Sequence, residues 1–211
     1  MTTLMPKPRG PGRPPKVDRE NVETRDVLIR CGTQLLTEQG FMATGIDSIL
    51  KRVGVPKGSF YHYFESKEAF GRAVLDSYAT FFARKLDRWL LDESLSPLER
   101  LAAFAQDAKV GMARYDYRRG CMVGNLGQEV SVLPEGFRRA LEGIFLDWQA
   151  RLATCLQAAQ SAGELSVNAD CAELAAFFWI GWEGAVLRAR LVQSDSPLNT
   201  FIAGFLRGLP Q

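Results

Sequence analysis

Arg118, Arg119, Gly120 and Cys121 form the stretch of this chain best equipped for covalent chemistry. A thiol beside two guanidinium groups, at the point where a short helix would begin, has its pKa drawn down toward the reactive thiolate. Such a cysteine suits capture of a small electrophile; the competing reading is a small buried hydrophobe, the usual fate of a lone cysteine. Asn125 and Gln128 follow on the same glycine-punctuated stretch and could hold a ligand carbonyl, while Arg118, Arg119 or Arg188 could pair with a carboxylate. Trp148, Phe178 and Trp182 supply apolar surface for a pocket wall, Phe178 and Trp182 sharing a helix face by their spacing of four. Trp179 points elsewhere on that reading, and with Gly184 it is assigned to a contact between two copies of the chain.

Enzyme chemistry finds little support. His62 is the single histidine, which excludes most histidine-based metal sites and Ser-His-Asp engines. Gly120, Gly124 and Gly127 lack the spacing and the preceding strand of a dinucleotide site, so no metal and no cofactor is expected. The four cysteines, at 31, 121, 155 and 171, form no C-x-x-C pair and read as reduced thiols.

A second kind of chemistry sits at the front. Residues 1–67 hold 11 Lys and Arg against 7 Asp and Glu, whereas residues 68–211 hold 15 against 17. A basic end joined to a near-neutral body is the footprint of a nucleic-acid-binding head on a sensing or partner-binding domain. Lys57, Gly58 and Ser59 put small and basic groups where base edges are reached, and Tyr61, His62 and Lys67 carry donors suited to backbone phosphate. Arg13, in a Gly-Arg-Pro core flanked by Lys and Arg, could enter an A·T-rich minor groove; a disordered tail that touches phosphate without specificity explains it as well.

These groups require helices to place them. Residues 1–21, rich in Pro and Gly, read as a flexible basic arm. From about Val22, Val27, Leu28, Cys31, Leu35 and Leu36 recur at helical spacing until Gly40. Ile46, Ile49, Leu50 and Val53 predict a second helix capped by Thr44, and Gly54, Val55 and Pro56 force a turn into a third. Ser66 opens a long fourth helix, and the apolar steps thereafter are of three and four. Residues 22–67 thus read as a helix-turn-helix domain and 68–211 as an all-α body, about nine helices in total. The longest apolar run, residues 174–182, is far short of the roughly 20 that span a bilayer, and the basic N-terminus has no apolar segment of a secretory signal. A cytoplasmic, nucleoid-associated protein without membrane contact is expected.

The run TGIDSILKRVGVPKGSFYHYFESKEAF over residues 44–70 resembles the DNA-binding signature of the TetR family of bacterial transcriptional regulators. Within the body, residues 111–114, 118–129 and 178–185 are similar to the acrylate-responsive subgroup, and the Gly-Cys element to an electrophile-sensing subgroup. The resemblance implies a homodimer on palindromic double-stranded operator DNA, its recognition helices about 34 to 36 Å apart. It also implies a small-molecule effector, acrylate or a related electrophile, that tilts the fourth helix. DNA contacts are expected at Arg13 of the arm and, within the matched run, at Thr44, Lys57, Gly58, Ser59, Tyr61, His62 and Lys67. Effector contacts fall on Cys121, Asn125, Gln128, Trp148, Phe178 and Trp182, and dimer contacts on the eighth and ninth helices.

Overall fold

The computed structural model describes residues 16–211, with side chains from Glu23 onward. Arg13 and the rest of the arm up to residue 15 lie outside the described residues.

Nine helices make up the described chain: α1 (Lys16–Gln39), α2 (Ile46–Val53), α3 (Lys57–Tyr63), α4 (Lys67–Leu90), α5 (Pro97–Ala113), α6 (Met122–Gln128), α7 (Phe137–Ser161), α8 (Cys171–Val192) and α9 (Ser196–Arg207). No strand occurs among the described residues. The first helix starts at Lys16, ahead of the start near Val22 that the apolar pattern suggested; no proline follows Pro15 in this stretch, and Lys16, Arg19 and Glu20 favour helix.

The punctuation works through backbone geometry. Gly40, at φ +83°, ends α1 in the left-handed region where a β-carbon is costly, and its N–H reaches the Leu36 carbonyl at 3.1 Å. Gly54 does the same for α2, its N–H 2.9 Å from the Leu50 carbonyl. The Ser66 hydroxyl accepts the Ala69 N–H at 3.0 Å to start α4, and the Asp170 carboxylate accepts Ala172 and Glu173 N–H at 2.9 and 3.0 Å to start α8. Thr44 does not cap α2. Gly45 occupies the cap position without a side-chain bond, while the fully buried Thr44 hydroxyl donates to the Gly40 carbonyl at 2.6 Å.

The core is one continuous apolar cluster reaching from Leu28 to Leu209. At the head, Phe60, Phe64 and Phe70 meet with ring centroids 5.0 to 5.5 Å apart. In the body α7, α8 and α9 pack in sequence, with α4 and α5 against α7. Gly181 admits the close approach of α8 and α9, since a β-carbon there would collide with the Phe201 ring. Helix α4 belongs to both ends: Phe70 completes the head, while Tyr78, Leu86 and Leu90 are buried in the body.

Candidate nucleic-acid interface and effector site

Helices α2 and α3 are amphipathic and short, and their apolar sides (Ile49, Leu50 and Phe60) are buried against α1 and α4. The opposite side of α3 is therefore presented to solvent: Lys57, Gly58, Tyr61 and His62 are exposed and Ser59 is half-buried. The Lys57 ammonium lies 3.1 Å from the Asp47 carboxylate. Both groups are solvated, so this pair can exchange for a phosphate or a base edge at little cost. Of the residues assigned to DNA, two stand elsewhere. Thr44 is sealed inside, its hydroxyl already bonded. Lys67 is half-buried over the Phe41 ring, 4.5 Å from its centroid, and donates to the Met42 carbonyl at 3.4 Å. Burial lowers the Lys67 ammonium pKa, against the opposing pull of Glu129.

That lysine belongs to a junction between head and body. Glu129, which follows α6, accepts the N–H groups of Phe41 at 3.1 Å and Met42 at 3.0 Å, the two amides left over where α1 ends. The Phe41 ring wedges against Phe137 at 5.3 Å. Gly71 has no side chain because Phe41 occupies the space. Nearby, Asn125 donates to the Thr37 carbonyl at 2.8 Å and accepts from Arg190 at 2.7 Å, and Arg190 also donates to the Glu38 carbonyl at 3.1 Å. Asn125 thus ties α1, α6 and α8 together, and its amide is not available to a ligand. Gln128 is exposed and faces no enclosed space.

Cys121 sits at the N-cap of α6 as predicted, 3.5 Å from the Gly124 N–H, but the cations do not surround it. Arg118 pairs with Asp116 at 3.6 Å on the surface, and Arg119 bonds Glu38 at 2.9 Å over the Tyr115 ring. Burial opposes ionisation of Glu38, yet the hydrogen bonds from Arg119 and Gln34 hold its carboxyl below the usual range. The Cys121 thiol instead faces the Tyr78 hydroxyl and the Glu183 carboxyl in the interior. Burial first, and the Glu183 charge second, push it well above its ordinary range. Burial likewise lifts Glu183 to about 7, with the Cys121 hydrogen bond working the other way. Tyr78 is raised by burial as well, and its oxygen receives the Met122 N–H at 3.4 Å. A thiolate nucleophile is not what this arrangement favours. Gly124 leaves the space into which the Glu183 carboxyl turns.

Beyond this polar group lies a packed aromatic cluster. Trp148 and Trp179 approach to 5.0 Å, Phe82 lies 4.4 Å from Trp148, and Phe104 lies 5.8 Å from Trp182 and 6.0 Å from Trp179. Trp179 is thus inside the body, only 2% exposed, and not on a contact between copies. Phe178 turns the other way, toward Phe201 and Phe205 of α9 at 5.5 and 5.1 Å, although it stacks on Trp182. Sequence reasoning set Glu183 beside the tryptophans of the pocket without giving it a role, read Tyr78 and Phe82 only as part of the apolar face of α4, and missed Phe104, which no spacing signal singles out.

A helix-turn-helix head carried on a long helix, whose other end packs into an aromatic cluster with polar groups beside it, is the architecture of a transcription regulator that senses small molecules. Residues 28–74 match the family model described as bacterial regulatory proteins of the tetR family, and residues 97–205 match the tetracyclin repressor-like C-terminal domain. The chain is 53% identical over 180 residues to the transcriptional regulator AcuR of Cereibacter sphaeroides, covering 85% of this chain and 82% of that one. It is 32% identical to the HTH-type transcriptional repressor NemR of Escherichia coli K12, with 86% and 91% covered. A crystal structure of a regulatory protein TetR from Rhodobacter sphaeroides superposes with a TM-score of 0.85 at 52% identity, over 87% of this chain and 97% of that one. The chain belongs to the TetR family. It is a DNA-binding transcription regulator and not an enzyme.

Proposed function

We propose that the protein is a homodimeric repressor that binds a palindromic operator through α3 and is released by a small α,β-unsaturated carboxylate, acrylate or a close analogue. What carries the reading is α6. Its first residues close the space around Cys121, Tyr78 and Glu183, and its last turn leads to Glu129, which holds the α1–α2 turn of the head. A ligand that disturbs one end of a seven-residue helix moves the other. The resemblance of residues 118–129 and 178–185 to the acrylate-responsive subgroup supplies the effector's identity. A ligand shifts the equilibrium only by its differential affinity for the two shapes; a coupling of about 1–3 kcal/mol corresponds to a roughly 5- to 150-fold loss of DNA affinity.

The dimer contact is assigned to α8 and α9. Phe177, Ile180, Leu187 and Leu191 are exposed in one stripe down α8, with Gly184 between them. An apolar groove of about 480 Å³ runs alongside between Leu174, Phe177, Thr200 and Gly204. Exposed apolar stripes of this kind are covered by a partner. No helix among the described residues is long and apolar enough to cross a membrane, in keeping with action in the cytoplasm on nucleoid DNA.

Capture is reversible on this reading, because a buried, protonated thiol is a poor nucleophile and acrylate a weak Michael acceptor. A second reading, regulation by an unrelated apolar effector with Cys121 as a packing residue, draws on the same burial. Electrophoretic mobility shift of the DNA upstream of the protein's own gene, with and without sodium acrylate, separates the two. Release by acrylate supports the first reading, and retention at saturating acrylate with release by an apolar compound supports the second.

A further inference from the structure

Two polar atoms in the aromatic cluster have no protein partner: the indole nitrogens Nε1 of Trp148 and Trp179 are buried and donate to nothing among the described residues. An indole N–H is a donor only, and burying it unpaired forfeits the hydrogen bond it makes in water. Phenylalanine would give an aromatic wall without that cost. The two orphans stand on different helices, α7 and α8, yet their rings are neighbours at 5.0 Å, enclosed by Phe82 and Phe104. The other buried polar groups of the region are already engaged, Tyr78 with Met122 and Glu183 with Cys121.

Resting on the proposed reading that the body binds a small effector, we infer that the Trp148 and Trp179 N–H groups are the donors to its oxygen, which restricts the effector to compounds presenting a carboxylate or carbonyl oxygen to this aromatic cluster as it opens. The restriction is by shape and by hydrogen bonding. Two neutral donors in an apolar box accept an acceptor oxygen and leave an alcohol's or amine's proton unsatisfied, so such analogues are discriminated against by the desolvation of their own donors. Phe82 touches both indoles and is the partly exposed member of the box, so it is the ring that yields to a ligand. It stands on α4, one turn beyond Tyr78, and α4 carries the head. Occupation of this site is thereby transmitted along a rigid element to α3.

The test is the indole region of the 15N–1H correlation spectrum of the full-length protein, in which four tryptophans give four resonances. Trp89, whose ring lies under Arg88 and makes none of the ring contacts of Trp148 and Trp179, is the internal standard. Titration with sodium acrylate should move the Trp148 and Trp179 resonances downfield and leave Trp89 fixed. Replacing either donor, Trp148→Phe or Trp179→Phe, should weaken acrylate binding in equilibrium dialysis roughly tenfold, the worth of one hydrogen bond to a charged group. Operator release by acrylate with both resonances unmoved would overturn the inference, as would resonances already at hydrogen-bonded positions in the free protein and unchanged by ligand, the signature of a buried water. Acrylate that neither binds nor releases DNA would remove the proposed effector. The indole assignment is then decided by butanone, a neutral carbonyl compound with no donor of its own and no activated double bond, in the same titration: movement of both resonances upholds it, and none refutes it.

Discussion

The carboxylate of Glu129 fills the space that a side chain on Gly40 would need. A β-carbon at Gly40 would collide with Oε1 of Glu129, and the glycine's φ of +83° would strain any other residue. The residue after α6 and the residue after α1 are therefore fitted to each other, and the carboxylate is held where it can accept the Phe41 and Met42 amides. This is where the effector domain grips the DNA-binding head.

Glu129→Ala leaves those two amides without a charged acceptor and should lower stability by about 1–3 kcal/mol. Urea denaturation followed by circular dichroism reads this directly. Gly40→Ala should cost as much through backbone strain alone. Wild-type midpoints for both variants would mean that the junction carries no energy.

Glu183 makes stability fall with rising pH. Its carboxyl titrates near 7 in the fold against an ordinary 4.5, so the folded protein holds a proton between those values that the unfolded chain has lost. Stability contributed by the protonated form is complete below about 4.5, declines through the interval and is gone above about 7. Glu183→Gln, which cannot ionise, should be more stable than the wild type at pH 8 by on the order of 2–3 kcal/mol and should differ little at pH 4.5. Equal gains at both pH values would place the effect elsewhere.

Cys121 should react slowly. Because burial and Glu183 both keep its thiol protonated, N-ethylmaleimide should modify it at well below the rate of a free cysteine in native protein and at the ordinary rate in denaturant. Cys121→Ser should retain most of the acrylate response. Peptide mapping that finds Cys121 alkylated first and fast would reinstate covalent sensing.

On the DNA side, Lys57→Met should lower operator affinity and flatten the dependence of log K on log salt by about 0.9 for a lost phosphate contact, or change the preferred base if the contact is to a base edge. Fluorescence anisotropy on an operator series at several salt concentrations distinguishes the two. An unaltered curve on every sequence would exclude Lys57 from the interface.

Gly184 is exposed and nothing lies within 4 Å of the place its β-carbon would occupy. A monomer therefore tolerates Gly184→Glu, whereas a dimer packed on this stripe does not, since the charge would be desolvated at a cost of several kcal/mol. Sedimentation velocity should give a folded monomer. A dimer of wild-type strength would move the contact to another face.

The helices were legible because each buries one face at a period of three and four, and because Gly40, Gly54 and Ser66 carry turn and cap chemistry in their own side chains or lack of one. Thr44 misled because a threonine hydroxyl before a helix has two uses, and here the carbonyl four residues back won over the amides ahead. Helix α8 is apolar nearly all round, so its sequence does not fix which tryptophan faces inward; Trp179 took the inside and Phe178 the side toward α9. Cys121 and Asn125 show a different limit. Arg118 and Arg119 are adjacent to the thiol in sequence and turn away from it in space. The groups that actually decide its chemistry come from α4 and α8, and Asn125 is tied to Arg190 across 65 residues.

Helix α4 runs through the single continuous core from head to body, lending Phe70 to one end and Tyr78 and Leu86 to the other. Neither half can melt while the other keeps its share of that helix. Calorimetry should accordingly record a single endotherm with a van't Hoff ratio near unity for each protomer. An excised head ending near residue 67 would lack Phe70 and not fold, and exchange of heads between relatives requires a splice beyond Leu90.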